Sequence, residues 1–173
     1  MHGLLAMVVC FRSVAKRFFT STVILYYALY AALTGITFSI IFYIFTAQSI
    51  LGLFIVSICA FGGLALFGFI TRRDLNGIGR FCTMGAFGLL GFYLLSMFVP
   101  SLMSSSMQQV VAVVGLIVFS GFTMYDMKKL KAYYNPTWSK GKRTKEAIFG
   151  GLMLYIDFIN IFLSLLRLFG GRR

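Results

Sequence analysis

Four acids, Asp74, Asp126, Glu146 and Asp157, stand against sixteen lysines and arginines, so each acid can be weighed by itself. Asp74 and Glu146 lie in basic polar stretches and read as solvated charge partners. The other two lie against apolar sequence. Asp157 sits inside GLMLYIDFINIFLSLLRLFG, about 20 residues from Gly151 to Gly170 and long enough to cross roughly 30 Å of hydrocarbon as a helix. Asn160 follows three residues later, on the same helical face. Asp126 closes the preceding apolar run, in GFTMYDMKKLK. A carboxylate at membrane depth is costly unless it faces protein, water or an ion, and such residues handle protons and cations. The helix carrying Asp157 is therefore expected at the centre of a bundle. Two bland alternatives stand beside this reading: Asp126 as an interface residue paired with Lys128, Lys129 or a later lysine, and Asp157 as a structural hydrogen-bonding group.

Other chemistries find little support. His2 is alone and near the start, which leaves imidazole catalysis and zinc without partners. Cys10, Cys59 and Cys82 each lie in an apolar run and read as buried free thiols rather than a disulfide or metal site. No nucleophile, base and metal constellation appears, so the chain is not expected to be an enzyme or to hold a resident cofactor.

The elements that position the carboxylates follow from composition. Hydrophobic residues make up 60% of the 173 and charged residues 12%, about half the share of a soluble domain; mean hydropathy is +0.91. The net charge of +12 is not a nucleic-acid signature, because the cations lie in short clusters between apolar runs. That pattern is topogenic, with some attraction to anionic headgroups.

Full spans are predicted at about 21–46, 50–70, 81–99, 110–127 and 151–170. Before them, MHGLLAMVVCF is only about half a crossing long and is followed at once by RSVAKR, the wrong order for a signal peptide. It resembles the inner half of a helix. No stretch alternates with period two, which argues against a barrel, and no internal repeat is evident. The fold class is all-α: a polytopic membrane helix bundle with five full transmembrane helices and a partial one at the start, in one domain over 1–173. Gly85, Gly88 and Gly91, with Ala31 and Gly35 four apart, would permit close helix contacts, or simply reflect how common glycine is in membrane helices.

Orientation follows from the cations. Arg12, Lys16 and Arg17, then Arg72, Arg73 and Arg80, then Lys128, Lys129, Lys131, Lys140, Lys142, Arg143 and Lys145 all fall on one side. The positive-inside rule makes that side cytoplasmic and places the C-terminus outside, against the dissent of Arg167, Arg172 and Arg173. Counting from the basic loop at 1.5 Å per residue, Asp126 lies about 3 to 8 Å and Asp157 about 10 to 15 Å into the membrane. Their helices run antiparallel across one loop, so the two carboxylates are within reach of each other.

LYIDFINIFLSLLRLFGGRR resembles the C-terminal signature of the Bax inhibitor-1 family, the transmembrane Bax inhibitor motif proteins, and SGFTMYDMKKLK resembles the end of that family's penultimate helix. YALYAALTGITFSIIF and FGGLALFGFITRRDL are similar to its third and fourth helices. The resemblance implies a seven-helix fold of which this sequence lacks the first helix and part of the second. It also implies a pH-sensitive calcium leak through an aspartate pair matched by Asp126 and Asp157, latched by an arginine of the second helix. By its place at the end of the partial helix Arg12 is the first choice for that latch and Arg17 the alternative; both also read as topogenic interface cations. The chemistry suits the residues. Two close carboxylates do not both ionise cheaply, so one proton is shared. Deprotonation supplies the anionic oxygens that calcium prefers, and repulsion would open the pair.

The sequence thus predicts an integral multi-pass membrane protein, in the plasma (inner) membrane if bacterial, conducting calcium or another cation. Two other functions stay open: a non-conducting regulator of cell death or of a membrane protease acting through its helices, and a proton-coupled transporter using the carboxylates as a relay. The lipid bilayer and membrane proteins are the expected partners, and nucleic acid is not.

Overall fold

The computed structural model describes residues 20–99, 101, 104–133 and 140–171. Five helices follow one another: α1 (Thr20–Ile44), α2 (Ala47–Ile70), α3 (Asn76–Phe98), α4 (Ser105–Tyr133) and α5 (Lys140–Phe169). There is no strand among the described residues. Four helices, α2 to α5, are long and apolar enough to cross a membrane. They coincide with the last four expected spans. α1 coincides with the first, and its passage across the bilayer belongs to the proposal below.

The helix starts have local causes. The Thr46 hydroxyl accepts from the Ser49 amide (3.4 Å) and caps α2. The Ser104 hydroxyl accepts from the Met107 amide (3.4 Å) at the start of α4. Asp74 Oδ1 accepts from the Asn76 amide (2.9 Å), turning the chain into α3. At the basic end the helices overrun the apolar segments. α4 continues through MKKLKAY to Tyr133, and α5 begins at Lys140 rather than near Gly151. Most of the stretch expected to be the longest loop is therefore helical. Its Lys, Arg, Glu and Ala are good helix formers that hydropathy alone does not register.

α4 and α5 form the most extensive helix pair; α4 also packs on α2 and α3, and α5 on α2. The expectation that the last helix is central holds, since α5 is buried on two sides. One side meets α3 and α4 through Leu152, Met153, Ile156 and Leu165, packed with Cys82, Leu89, Phe119 and Phe122. The other meets α1 and α2 through Ile159, Phe162, Leu163 and Leu166, packed with Ile41, Phe45 and Ile50. Rings fill this second interface: Phe162 stacks on Phe38 and meets Phe54 edge-on, both at 5.7 Å between centroids. Lipid tails are as apolar as these side chains, so interhelical packing, not escape from water, stabilises the contacts.

Close approach uses other glycines than most of those expected. A Cβ at Gly35, Gly88 or Gly91 would meet nothing within 4 Å, whereas one at Gly85 would lie 2.6 Å from Val118 Cγ2. The closest backbone approach between two helices is at Gly68 of α2, where a Cβ would collide with the backbone carbonyl of Met124 on α4.

Candidate functional site

Two contacts set the register of α4 against α5. A Cβ at Gly115 would lie 3.1 Å from Ser164 Oγ, and one at Gly150 would run into the Leu130 side chain. The helices are antiparallel, and these contacts bracket both membrane aspartates. Asp157 is seven residues, close to two turns, from Gly150 and equally from Ser164, so it shares their stripe on the face of α5 turned to α4. Asp126 is eleven residues, close to three turns, from Gly115, and lies on the face of α4 turned to α5. Interpolating between the contacts puts Asp157 level with Phe122 and Thr123, and Asp126 level with Met153 and Leu154. The two carboxylates thus differ by about one turn, roughly 5 Å, along the bundle axis. Asp157, the deeper, is 3% exposed and Asp126 7%. Each takes part in polar interactions, and Oδ2 of Asp157 is fully buried without a hydrogen bond of its own.

Around Asp126 the packing comes from three helices. Gly68 of α2 admits the Met124 backbone, Gly79 of α3 faces the Tyr125 ring, where a Cβ would come within 2.7 Å, and Gly121 faces Cys82. Two of the lysines that follow Asp126 bond to backbone carbonyls at the end of α2 and the turn after it. Lys131 Nζ donates to the Phe69 carbonyl (2.9 Å) and sits 4.4 Å from the centroid of the Phe69 ring. Lys128 Nζ donates to the Arg73 carbonyl. The Phe69 carbonyl is one of those a helix C-terminus leaves open, so α4 supplies a cationic cap to α2. Lys129 lies over the Tyr125 ring at 5.6 Å.

The opposite end of α5 carries a polar group that the sequence reading did not assemble. Arg167 Nη1 donates to the Tyr93 hydroxyl of α3 (2.7 Å). Arg167, Tyr93, Asn160, Ser164 and Gly115 help line a cavity of about 10 Å³, room for about one water molecule. Asn160 donates its amide to the Ile156 carbonyl (2.8 Å) of its own helix. The available signal was spacing: Asp157, Asn160, Ser164 and Arg167 fall at i, i+3, i+7 and i+10, one polar stripe on an apolar helix. Tyr93 had no such signal. Beyond the stripe, the Thr46 amide donates to the Gly171 carbonyl and the Gly171 amide to Ser49 Oγ, both 3.2 Å, tying the end of α5 to the α1–α2 turn.

Among the described residues no three His, Cys, Asp or Glu side chains converge on one point. A divalent cation at the aspartate level would draw its remaining ligands from backbone carbonyls and water. Arg12 and Arg17, the expected latch, lie outside the described residues, as do Cys10 and His2.

The sequence matches a known family and several bacterial proteins. The family described as inhibitor of apoptosis-promoting Bax1 matches residues 1–173. The inner membrane protein YbhL of Escherichia coli K12 is 40% identical over 171 residues, covering 98% of this chain and 72% of that protein. An uncharacterized protein of Caulobacter vibrioides is 41% identical over 75% of the chain and 51% of its own length. Protein RP147 of Rickettsia prowazekii is 38% identical over 83% of the chain and 60% of its own length. With four long apolar helices and this similarity, the chain is an integral, multi-pass membrane protein, and it belongs to the Bax inhibitor-1 family.

Proposed function

We propose that this protein is a pH-sensitive cation leak, with calcium as the conducted ion and Asp126 and Asp157 as a proton-sharing pair that controls it. One observation carries the reading: both carboxylates are buried on facing stripes of α4 and α5, about one turn apart. Two acids at that separation, away from bulk water, favour one shared proton over two negative charges. While the proton is held, the facing helices stay packed. When it leaves, anionic oxygens become available to calcium and repulsion loosens the α4–α5 contact, so conduction rises with pH.

In this reading α1 is the first of five full crossings. The end of the bundle bearing Lys128 and Lys131 faces the cytoplasm, and in a bacterium the membrane is the inner one. Arg12, or failing it Arg17, is the cation that latches the closed state. Calcium and protons are cargo rather than resident cofactors, and no covalent chemistry is assigned.

Flux in liposomes tests the proposal. Purified protein should admit calcium to vesicles loaded with an indicator, and empty vesicles should not. No flux from folded protein would favour a non-conducting regulator of cell death or of a membrane protease. Flux that requires a second co-transported substrate would identify a proton-coupled transporter.

A further inference from the structure

The most concentrated charge on the described surface is not at the aspartates but at the basic end of the bundle. Arg72 and Arg73 project from the α2–α3 turn and Arg80 from the first turns of α3, all exposed. Lys128 and Lys131 are drawn onto the same corner by their bonds to the Arg73 and Phe69 carbonyls, and Lys129 lies beside them over Tyr125. The α2–α3 turn and two helices, α3 and α4, therefore deliver their cations to one place. The acid within this cluster, Asp74, accepts from the Asn76 amide through Oδ1 and serves the turn.

Directly below these cations the surface turns apolar. Ile70 is 64% and Phe81 65% exposed, and Phe69 and Ile78 are exposed as well. Ile70 ends α2 two residues before Arg72, and Phe81 follows Arg80 on α3. A partner for this corner needs negative charge at the level of the arginines and hydrocarbon immediately beneath. A soluble anion meets only the first requirement, and a zwitterionic lipid brings its phosphate together with a headgroup cation that the arginines repel.

We propose that this corner seats an anionic phospholipid, its phosphate on Arg72, Arg73 and Arg80 and its acyl chains along Ile70 and Phe81. Lys128 and Lys131 fix the corner's shape by tying α4 to the end of α2, so the seat spans the α2–α3–α4 junction. The inference is independent of whether the protein conducts ions.

The test is thermal unfolding of the full chain in a neutral detergent, titrated with phosphatidylglycerol, with phosphatidylcholine, or with inorganic phosphate. Each cation near an anionic surface is worth about fivefold in affinity at low salt. Phosphatidylglycerol should stabilise at a concentration at least tenfold below phosphatidylcholine, and inorganic phosphate should not substitute for it. The preference should shrink in 0.5 M salt, an ionic strength of about 4 to 5 Å Debye length. The triple variant Arg72→Gln, Arg73→Gln, Arg80→Gln should lower the affinity for phosphatidylglycerol about a hundredfold and that for phosphatidylcholine far less, so that the preference disappears. Should the triple variant not fold, Arg80→Gln alone should cost about fivefold. Equal response to both lipids, stabilisation by inorganic phosphate alone, or a preference that survives the substitutions would overturn the assignment.

Discussion

The separation of the two aspartates rests on the register of α4 against α5, and a crosslink reads that register directly. At Gly115 an added Cβ would sit 3.1 Å from Ser164 Oγ. In a disulfide, an S–S length near 2.05 Å puts each Cβ about 3 Å from the opposite sulfur. Gly115→Cys with Ser164→Cys should therefore oxidise readily, in a background where Cys10, Cys59 and Cys82 are alanine. The bridge would close about 50 residues, for which the chain-entropy relation gives a ceiling of about 4 kcal/mol of stabilisation. A protease site placed between α4 and α5 supplies the assay: cleaved halves should stay joined on a non-reducing gel and separate on reduction. Unfolding of the oxidised form should come later than that of the reduced form. The control pairs Gly115→Cys with Leu168→Cys, one turn further along α5 and about 6 Å away. If the control crosslinks as fast or faster, the register is wrong and the one-turn spacing of Asp126 and Asp157 falls with it.

Three further predictions concern packing and orientation. Gly68→Ala drives a methyl group into the Met124 backbone and should cost about 1 to 3 kcal/mol, whereas Gly88→Ala, with open space around it, should be near neutral; equal unfolding temperatures for the two variants would contradict the α2–α4 contact. Tyr93→Phe removes the acceptor of the Arg167 bond and should lose about 1.5 to 3 kcal/mol. Chemical denaturation would measure that loss, and an unchanged midpoint would show that the bond contributes nothing. Cysteines at Ser139 and after Arg173 should label from opposite sides of the membrane, and labelling of both from one side would contradict the proposed topology.

Hydropathy carries the place and order of the long apolar helices α2 to α5 well, because twenty apolar residues in succession have few other places to go. It says little about which face of each helix meets protein. Leu51, Ile55 and Leu66, all exposed, are chemically the same as Leu152, Ile156 and Leu166 in the core. A membrane helix lacks the polar outer side that reveals the buried face of a soluble one. The few polar residues break this symmetry. Asp157 and Asn160 pointed to the inner stripe of α5, and Ser164 and Arg167 extend it.

What the sequence did not reveal was mostly partnership. Nothing distinguishes Gly68, which meets a backbone, from Gly88, which meets nothing; only the relative placement of α2, α3 and α4 separates them. Lys128 and Lys131 read as topogenic charges or partners for Asp126, and nothing in the sequence pointed to their bonds to carbonyls more than fifty residues earlier. Such bonds depend on where α2 happens to end. The helical extensions of α4 and α5 were hidden because a charged, alanine-containing helix and a basic loop have the same hydropathy.

The central claim, that Asp126 and Asp157 titrate together to control an ion pathway, is tested most directly by calcium flux against pH in liposomes. Wild-type protein should conduct more as pH rises and the shared proton is lost. Asp157→Asn removes the deeper charge with little change of shape and should abolish the pH dependence. Asp126→Asn should alter the same titration, since a coupled pair titrates as one unit. A purely structural role predicts lower yield or stability, with the pH profile of the surviving protein unchanged. If both variants, shown to be folded, keep the wild-type flux and pH profile, the two carboxylates do not form the gate.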